Sequence, residues 1–474
     1  MSFRKSLFKN IIVLGGFSYT TQILSFLSSI VLSRLLLPKE YGFVALITVF
    51  TGFINQFSDA GLSYLIIRSD YNRLFHSAIH FLSVMIGVIL AVIVVLLAYP
   101  IALFYNNPAL VLPTIIMSSS FILRSFTMVP FGILSKDLKF QKLGIIELVC
   151  TGTEILIMMV FAYLGFSYWS LILPSIAGNI LRIIMYHRAA NIRFRWLKRK
   201  FIVVGFRKAK GIIGNLTGFN LLNYWARNSD NLIIGKVFGT ASLGIYDRAY
   251  KLLNLALNVM SSLFGKVLYP SLKDLQSQGG DVNKEYLNTL GIVSLLNFPV
   301  SILLIFFAKP LVLILWSENW IQVADLLPYI GILILSQTLN STTGNIFILK
   351  GRERILMLLG IPTNIIIILS IGAGAFISMI HVLRFYSLAF ILFDIPLVMY
   401  YGFKKSFGYT MPVILRFWVP KVILSGLMVV SVWINLKELT VILAVLYFLH
   451  LVFDQREDIL NVFKFLRKRM ASHE

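Results

Sequence analysis

Stretches of about 20 apolar residues, each long enough to cross a bilayer as a helix, follow one another along almost the whole chain. That succession constrains the fold more than any other feature. They fall near residues 11–37, 41–67, 77–99, 113–134, 143–163, 168–187, 211–238, 243–270, 288–308, 326–349, 355–378, 382–402, 419–435 and 439–453. In lipid every backbone polar group has to be satisfied within its own segment, so each stretch is expected to be a helix. Composition agrees: of 474 residues 58% are hydrophobic and 13% charged, against about 25% charged in an average soluble domain. A soluble enzyme, a disordered tail and a fibrous repeat are thereby excluded. The expected fold is an all-α membrane protein of about 14 transmembrane helices, the last two being the shortest.

The excess of 43 Lys+Arg over 20 Asp+Glu would suggest nucleic acid in a soluble chain. In a membrane chain, basic residues gather in cytoplasmic loops, so no nucleic acid is expected as a partner. With the N-terminus in the cytoplasm, the inner segments carry 30 Lys+Arg and the outer loops only Lys39, Lys309 and Lys437. That asymmetry places both termini in the cytoplasm. Arg4, Lys5 and Lys9 precede an apolar run that continues to Leu37 without a small-residue cleavage site. It therefore reads as an uncleaved first span. The longest inner connection, residues 188–210, holds Arg193, Arg195, Lys198, Arg199 and Lys200. It reads as a basic linker against anionic lipid. Cys150 is the single cysteine and sits in an apolar run, which predicts an inert buried thiol.

An internal repeat organises the spans. Arg34-Leu-Leu-Leu-Pro38-Lys-Glu-Tyr-Gly42-Phe43 and Lys236-Val-Phe-Gly-Thr240-Ala-Ser-Leu-Gly244-Ile245 match at an offset of 202 residues. In each, a basic residue ends one span, and a Gly-apolar pair eight positions later opens the next. Glycine is expected there to permit a tight turn. Leu134-Ser-Lys136 and Ile348-Leu-Lys350 match more weakly at 214. Spans 1–6 (residues 1–187) and 7–12 (211–402) thus read as two pseudo-symmetric six-helix lobes. Both enter the membrane in one direction, around a central cavity. Residues 403–474 add two helices and a basic tail.

Polar residues three, four and seven apart share a helix face. Such stripes occur as Gln22, Ser25, Ser29 and Ser33 in span 1, and as Asn55, Gln56 and Asp59 in span 2. Span 4 carries Ser120, Arg124 and Thr127, and span 7 Asn220, Asn223, Arg227 and Asp230. Asp247, Lys251, Asn254 and Asn258 follow in span 8 with Arg248 beside them, and Ser336, Gln337, Asn340 and Ser341 in span 10. A charge at mid-membrane costs about 2.5–3.5 kcal/mol on insertion scales, so Arg124 and Arg227 are candidates for a cargo-facing role. Arg227 with Asp230, and Asp247 with Lys251, have the spacing of simple ion pairs. Arg124 has no acidic residue within one turn. Glu147 and Glu154, on one face of span 5, could pair with it, bind a coupling ion or line the cavity entrance. The candidate substrate residues are Gln22, Ser25, Arg124, Asn220, Asn223, Arg227, Arg248, Lys251 and Asn254. The candidate ion-coupling residues are Asp59, Glu147, Glu154 and Asp230. The excess of cations predicts an anionic cargo, with guanidinium groups matched to pyrophosphate oxygens. Arg384 and Lys421 are expected to snorkel from span ends, and Trp169, Trp316, Trp320 and Trp433 to anchor at the interface. No nucleotide-binding P-loop, zinc motif or acidic outer loop is present, so neither a cofactor nor catalysis is expected.

Leu32-Ser-Arg34-Leu-Leu-Leu-Pro38-Lys-Glu-Tyr41-Gly42-Phe43, followed by Phe57-Ser-Asp59-Ala-Gly61-Leu-Ser63 and Ile66-Ile67-Arg68, resembles the N-terminal signature of bacterial polysaccharide exporters. These belong to the multidrug/oligosaccharidyl-lipid/polysaccharide flippase superfamily, and the likeness is greatest to its Wzx-type O-antigen branch. The resemblance implies two six-helix lobes with two extra helices and a cationic cavity. It implies flipping of an undecaprenyl-pyrophosphate-linked oligosaccharide across the bacterial inner membrane, coupled to protons or sodium. A polymerase and a chain-length regulator of the same pathway are candidate partners beside membrane lipids. A multidrug antiporter and a lipid II flippase are alternatives within the superfamily. A membrane glycosyltransferase or polymerase is the alternative outside it.

Overall fold

The computed structural model describes residues 3–58, 66, 73–192, 199–340 and 342–456. Among the described residues all regular structure is helical. The first helices are α1 (Phe3–Leu35), α2 (Pro38–Asn55), α3 (Arg73–Phe104), α4 (Val111–Lys136), α5 (Phe140–Tyr163) and α6 (Trp169–Ala190). A long run, α7 (Arg199–Ser277), breaks at Gly239, whose φ of 80° and ψ of −172° leave helical space. Then come α8 (Val282–Phe306), α9 (Ala308–Leu315), α10 (Leu327–Thr338), α11 (Thr343–Leu349) and α12 (Glu353–Ala375). α13 (Met379–Ala389) continues through wide π turns at Phe390–Asp394 and Val398–Ser406, before α14 (Met411–Trp433) and α15 (Lys437–Asp454). Eight described helices are long and apolar enough to cross a membrane, or nine if the bent pair Glu318–Asp325 and Leu327–Thr338 counts as one span. Their outward faces carry bare hydrocarbon: Leu96, Leu156 and Leu369 are each about two-thirds exposed. A soluble protein does not present such a band, and lipid covers it without cost.

Contacts divide the chain into two compact units, Met1–Gly244 and Ile245–Glu474. In the first, α3 lies along α4, α4 and α5 both lie along α6, and α1 lies along α5. Small residues let these helices approach, as expected where lipid tails give helices no hydrophobic reason to associate. Ser83 Oγ donates to the Ser125 carbonyl at 2.9 Å. A Cβ on Gly87 would strike the Ser125 side chain, and one on Gly144 would strike Phe17. Cys150 is fully buried with its sulfur 3.8 Å from Met185 Sδ, as the sequence predicts.

The repeated turns behave differently from the expectation of tight-turn glycines. Pro38 opens α2 as a first helical residue, and the Glu40 carboxylate accepts from the Leu37 N–H at 2.7 Å, so the turn is closed by capping. Positive φ in the second copy falls on Gly239. Gly42 and Gly244 instead permit backbone contact. A Cβ on Gly42 would land on the Thr240 carbonyl, and a Cβ on Gly244 on that of Pro38. Pro38 and Thr240, like Gly42 and Gly244, are 202 residues apart, so the two copies of the motif meet reciprocally.

In the second unit α8 lies along α10, α12 along α13 and α14 along α15. The polar stripe that runs from α10 into the turn after it is a packing seam: Gln337 Nε2 donates to Tyr386 Oη and Asn340 Nδ2 to Asp394 Oδ2, both at 2.7 Å. Ser341 lies outside the described residues. Three expectations are overturned here. Lys421 does not snorkel, because α14 begins at Met411 and places it mid-helix; it is fully buried and donates to Asp454 Oδ2 at 2.6 Å. Arg384 is held inside as well, donating to Tyr329 Oη at 2.9 Å with its guanidinium 4.9 Å from the Trp433 ring. Trp316 and Trp320 are not interfacial anchors. The chain after α9 folds back through the short helix Glu318–Asp325 and buries both indoles, at 1% and 0% exposure.

Candidate functional site

Three helices of the first unit, with α2 beside them, build a polar cavity of about 440 Å³. α4 supplies Arg124 and Thr127, α5 supplies Glu147 and Glu154, and α6 supplies Ser175, Asn179 and Arg182. Asn55 and Ser58 complete it, and Met128 is the one apolar liner among the ten. An adjoining cavity of about 300 Å³ shares Asn55, Arg124, Ser175 and Asn179 and adds both apolar side chains, Val44, Met117, Phe121 and Leu171, and the hydroxyls of Thr48, Thr51 and Ser120.

The geometry follows from helical spacing. Glu147, Thr151 and Glu154 stand at i, i+4 and i+7 on α5, a stripe two turns or about 10 Å long. Arg182, on the facing helix, reaches along all of it. Its Nε donates to Glu147 Oε2 at 3.1 Å, its Nη1 to Glu154 Oε1 at 2.5 Å and its Nη2 to Thr151 Oγ1 at 3.3 Å. Tyr186, one turn along α6, donates its hydroxyl to Glu147 Oε1 at 2.6 Å. Gly178 makes room for this clamp, since a Cβ there would fall on the Glu154 carboxylate. The side chains of Arg182 and Glu154 are 17% and 19% exposed, and that of Glu147 is 42% exposed.

Arg124, on α4, lines the same cavity, is exposed, and makes no ion pair among the described residues. Glu147 and Glu154 are thus in the cavity, but their partner is Arg182, which the sequence argument passed over. Its signal was there: Ser175, Asn179 and Arg182 form their own i, i+4, i+7 stripe. Two guanidinium groups face two carboxylates, so the described cavity is balanced and not cationic.

The other candidates have various places. Gln22 and Ser25 are exposed on α1. Asp59 and the side chains of Asn220, Asn223 and Arg227 lie outside the described residues. Asp230 is buried and accepts from the Asn231 N–H at 2.8 Å. In the second unit Lys251 pairs with Asp247 at 2.6 Å, the spacing-based ion pair, and Asn254 is exposed. Arg248 is 4% exposed, with its guanidinium 4.9 Å from the Trp320 ring and 5.7 Å from that of Trp316. That cation–π contact turns it into the protein interior.

Comparison with known proteins agrees with this architecture. The chain is 22% identical over 335 residues to the lipopolysaccharide biosynthesis protein WzxC of Escherichia coli (strain K12), covering 68% of this chain and 65% of that protein. It is 23% identical over 296 residues to the teichuronic acid biosynthesis protein TuaB of Bacillus subtilis (strain 168), covering 61% and 59%. The chain therefore spans slightly under two thirds of the length of these two relatives. The lipid II flippase MurJ in an inward closed conformation shares the fold, with a TM-score of 0.70 and 13% identity over 94% of this chain and 100% of that one. So does an inward-facing multidrug resistance transporter of the MATE family, with a TM-score of 0.63 and 15% identity over 82% and 96%. The family model for polysaccharide biosynthesis proteins matches residues 31–325, more than half of the sequence, and the chain belongs to that family.

Proposed function

We propose that the chain flips lipid-linked oligosaccharide repeat units, carried on undecaprenyl pyrophosphate, from the cytoplasmic to the outer leaflet for polysaccharide assembly. The observation that carries this reading is a hydrogen-bonding cavity holding two guanidinium groups and two carboxylates inside an apolar helical bundle. Charged side chains at membrane depth are expensive and mark transport pathways. In this reading the chain carries cargo and performs no bond chemistry. It has 14 spans in two six-helix lobes, residues 1–187 and 211–402, joined by the basic linker 188–210. Both termini are in the cytoplasm and the bilayer is the bacterial inner membrane. Arg124, Asn55, Asn179 and Arg182 contact the cargo, with Gln22, Ser25, Lys251 and Asn254 as further exposed contacts. A polymerase and a chain-length regulator of the same pathway are its partners.

The test is surface polysaccharide in a strain deleted for the chain, with membrane abundance measured in parallel. Arg124→Ala should insert normally, because removing a charge lowers the insertion cost, while surface polymer falls at least about tenfold, the loss of one charge-assisted hydrogen bond of roughly 1.5–3 kcal/mol. Normal polymer at normal abundance would reduce Arg124 to a structural residue and remove the main support of this reading.

A further inference from the structure

We propose that the Glu147–Arg182–Glu154 clamp and the amides around it form a subsite that reads the sugars of the cargo, and that the cargo's phosphates are held elsewhere. The inference rests on the transport reading above and refines it.

Charge is the first argument. Arg124 and Arg182 are matched by Glu147 and Glu154 in one cavity. A diphosphate entering it would gain from Arg124 but would meet the carboxylate of Glu147, whose side chain is 42% exposed. Two unit charges at 4 Å interact by about 4 kcal/mol at the effective dielectric near a protein surface, so the attraction and the repulsion are of one size. Arg182 is already engaged on two carboxylates and a hydroxyl, and would have to abandon them.

Hydrogen-bond complementarity is the second. Phosphate oxygens only accept, so carboxylates have nothing to give them. A sugar hydroxyl both donates and accepts, and needs both kinds of partner. Ionised carboxylates supply acceptors with lone pairs to spare, and amides supply both functions. Glu147 and Glu154 stand beside Asn55 and Asn179, with hydroxyls from Ser175 and Thr127 between them. The clamp fixes the acceptors in advance, because Arg182 and Tyr186 hold Glu147 from two sides. Pre-organised polar groups lose less on binding.

Shape is the third. A pyranose ring has a hydroxyl rim and C–H faces. The polar cavity opens beside one in which Val44, Met117, Phe121 and Leu171 stand among the hydroxyls of Thr48, Thr51 and Ser120, so it offers apolar surface to such a face and hydrogen-bond partners to its rim. Both volumes, about 440 and about 300 Å³, lie in or at the edge of the range of small-molecule sites, roughly 300–1,000 Å³.

The experiment uses the purified full-length chain in detergent and two probes. One is farnesyl diphosphate. The other is the free reducing oligosaccharide released by mild acid from the cell's own lipid-linked repeat. Saturation-transfer NMR reads the sugar protons, and a Kd is measured for each probe. Glu147→Gln keeps the side-chain shape, and Asn55→Ala removes one amide without touching the clamp. Each should weaken the oligosaccharide roughly tenfold, the worth of about one hydrogen bond to a charged or well-placed group, and leave the Kd of farnesyl diphosphate within twofold. The proposal is overturned if Glu147→Gln tightens farnesyl diphosphate tenfold and Arg124→Ala weakens it, since the phosphates then occupy this cavity while the transport reading stands. It is also overturned if the oligosaccharide binds the variants as well as the wild type. Binding of neither probe to the wild type defeats the transport reading together with the subsite.

Discussion

Lys421 offers a sharp test of how the last two helices are held. Its ammonium is fully buried and donates to the Phe417 carbonyl at 2.7 Å and to Asp454 Oδ2 at 2.6 Å, 3.7 Å above the Phe417 ring. The Asp454 side chain is only 7% exposed and also receives His450 Nε2 at 3.3 Å. Lys421→Met keeps length and volume but leaves the carboxylate buried without its cation. Removing one partner of a buried pair costs about 3–5 kcal/mol, because the remaining charge stays desolvated. At about 1.4 kcal/mol per factor of ten, the α14–α15 hairpin should open roughly 140- to 3,700-fold more often. Adding Asp454→Leu replaces the pair with hydrocarbon, which is neutral or stabilising in other buried pairs, so protection should return. The assay is hydrogen exchange on the purified chain, comparing peptides within 411–454 with peptides from α5. It is run at pH 7, above the range in which an ordinary imidazole is mostly charged, so that His450 does not stand in for the missing ammonium. Unchanged protection in Lys421→Met, or a double variant as open as the single one, would refute the claim that this pair pins the hairpin.

Two further outcomes are expected. Gly42→Ala and Gly244→Ala should each destabilise by about 1–3 kcal/mol, as overpacking against atoms that cannot yield; because both substitutions force apart the same contact, the double variant should cost less than the sum, and strict additivity in thermal unfolding of the purified protein would show that the two glycines do not share a contact. Reporter fusions after Asn107 and Ser317 should report the outer face, and fusions after Gln141, Arg199, Gln278 and Arg352 the cytoplasm, as expected from the asymmetry of basic residues; two consecutive reversals would overturn the span count.

The helices were legible because a bilayer demands about 20 apolar residues per crossing, and α3, α5 and α6 begin and end within a few residues of the apolar stretches. The cavity was legible in part. Arg124, Glu147 and Glu154 are cheap to find, since each is a charge in a hydrocarbon run. Their pairing was not, because Arg182 lies 28 residues beyond Glu154 on another helix, and helical periodicity reports faces without reporting which faces meet. The same gap explains Trp316 and Trp320. Their position at the end of an apolar stretch suggests an interface, and only the fold-back after α9 buries them. Lys421 was misplaced for a simpler reason. The sequence reading starts the span at residue 419, after Pro412 and Arg416, yet the mostly apolar residues from Met411 to Trp418 are the first two turns of α14.

The reciprocal contact between the two copies of the repeated turn also bears on how the chain is made. The corner between α1 and α2 leaves the ribosome first, and the backbone it packs against, at Thr240 and Gly244, follows 202 residues later. At roughly 5–20 residues per second that interval is about 10–40 s. Throughout it Gly42 lacks the Thr240 carbonyl against which it packs in the finished chain. The corner between α1 and α2 is therefore completed by a segment from the middle of the chain. A product that stops before residue 240 lacks this contact however well its earlier helices have inserted, which gives quality-control proteases a feature that separates a half-made chain from a whole one.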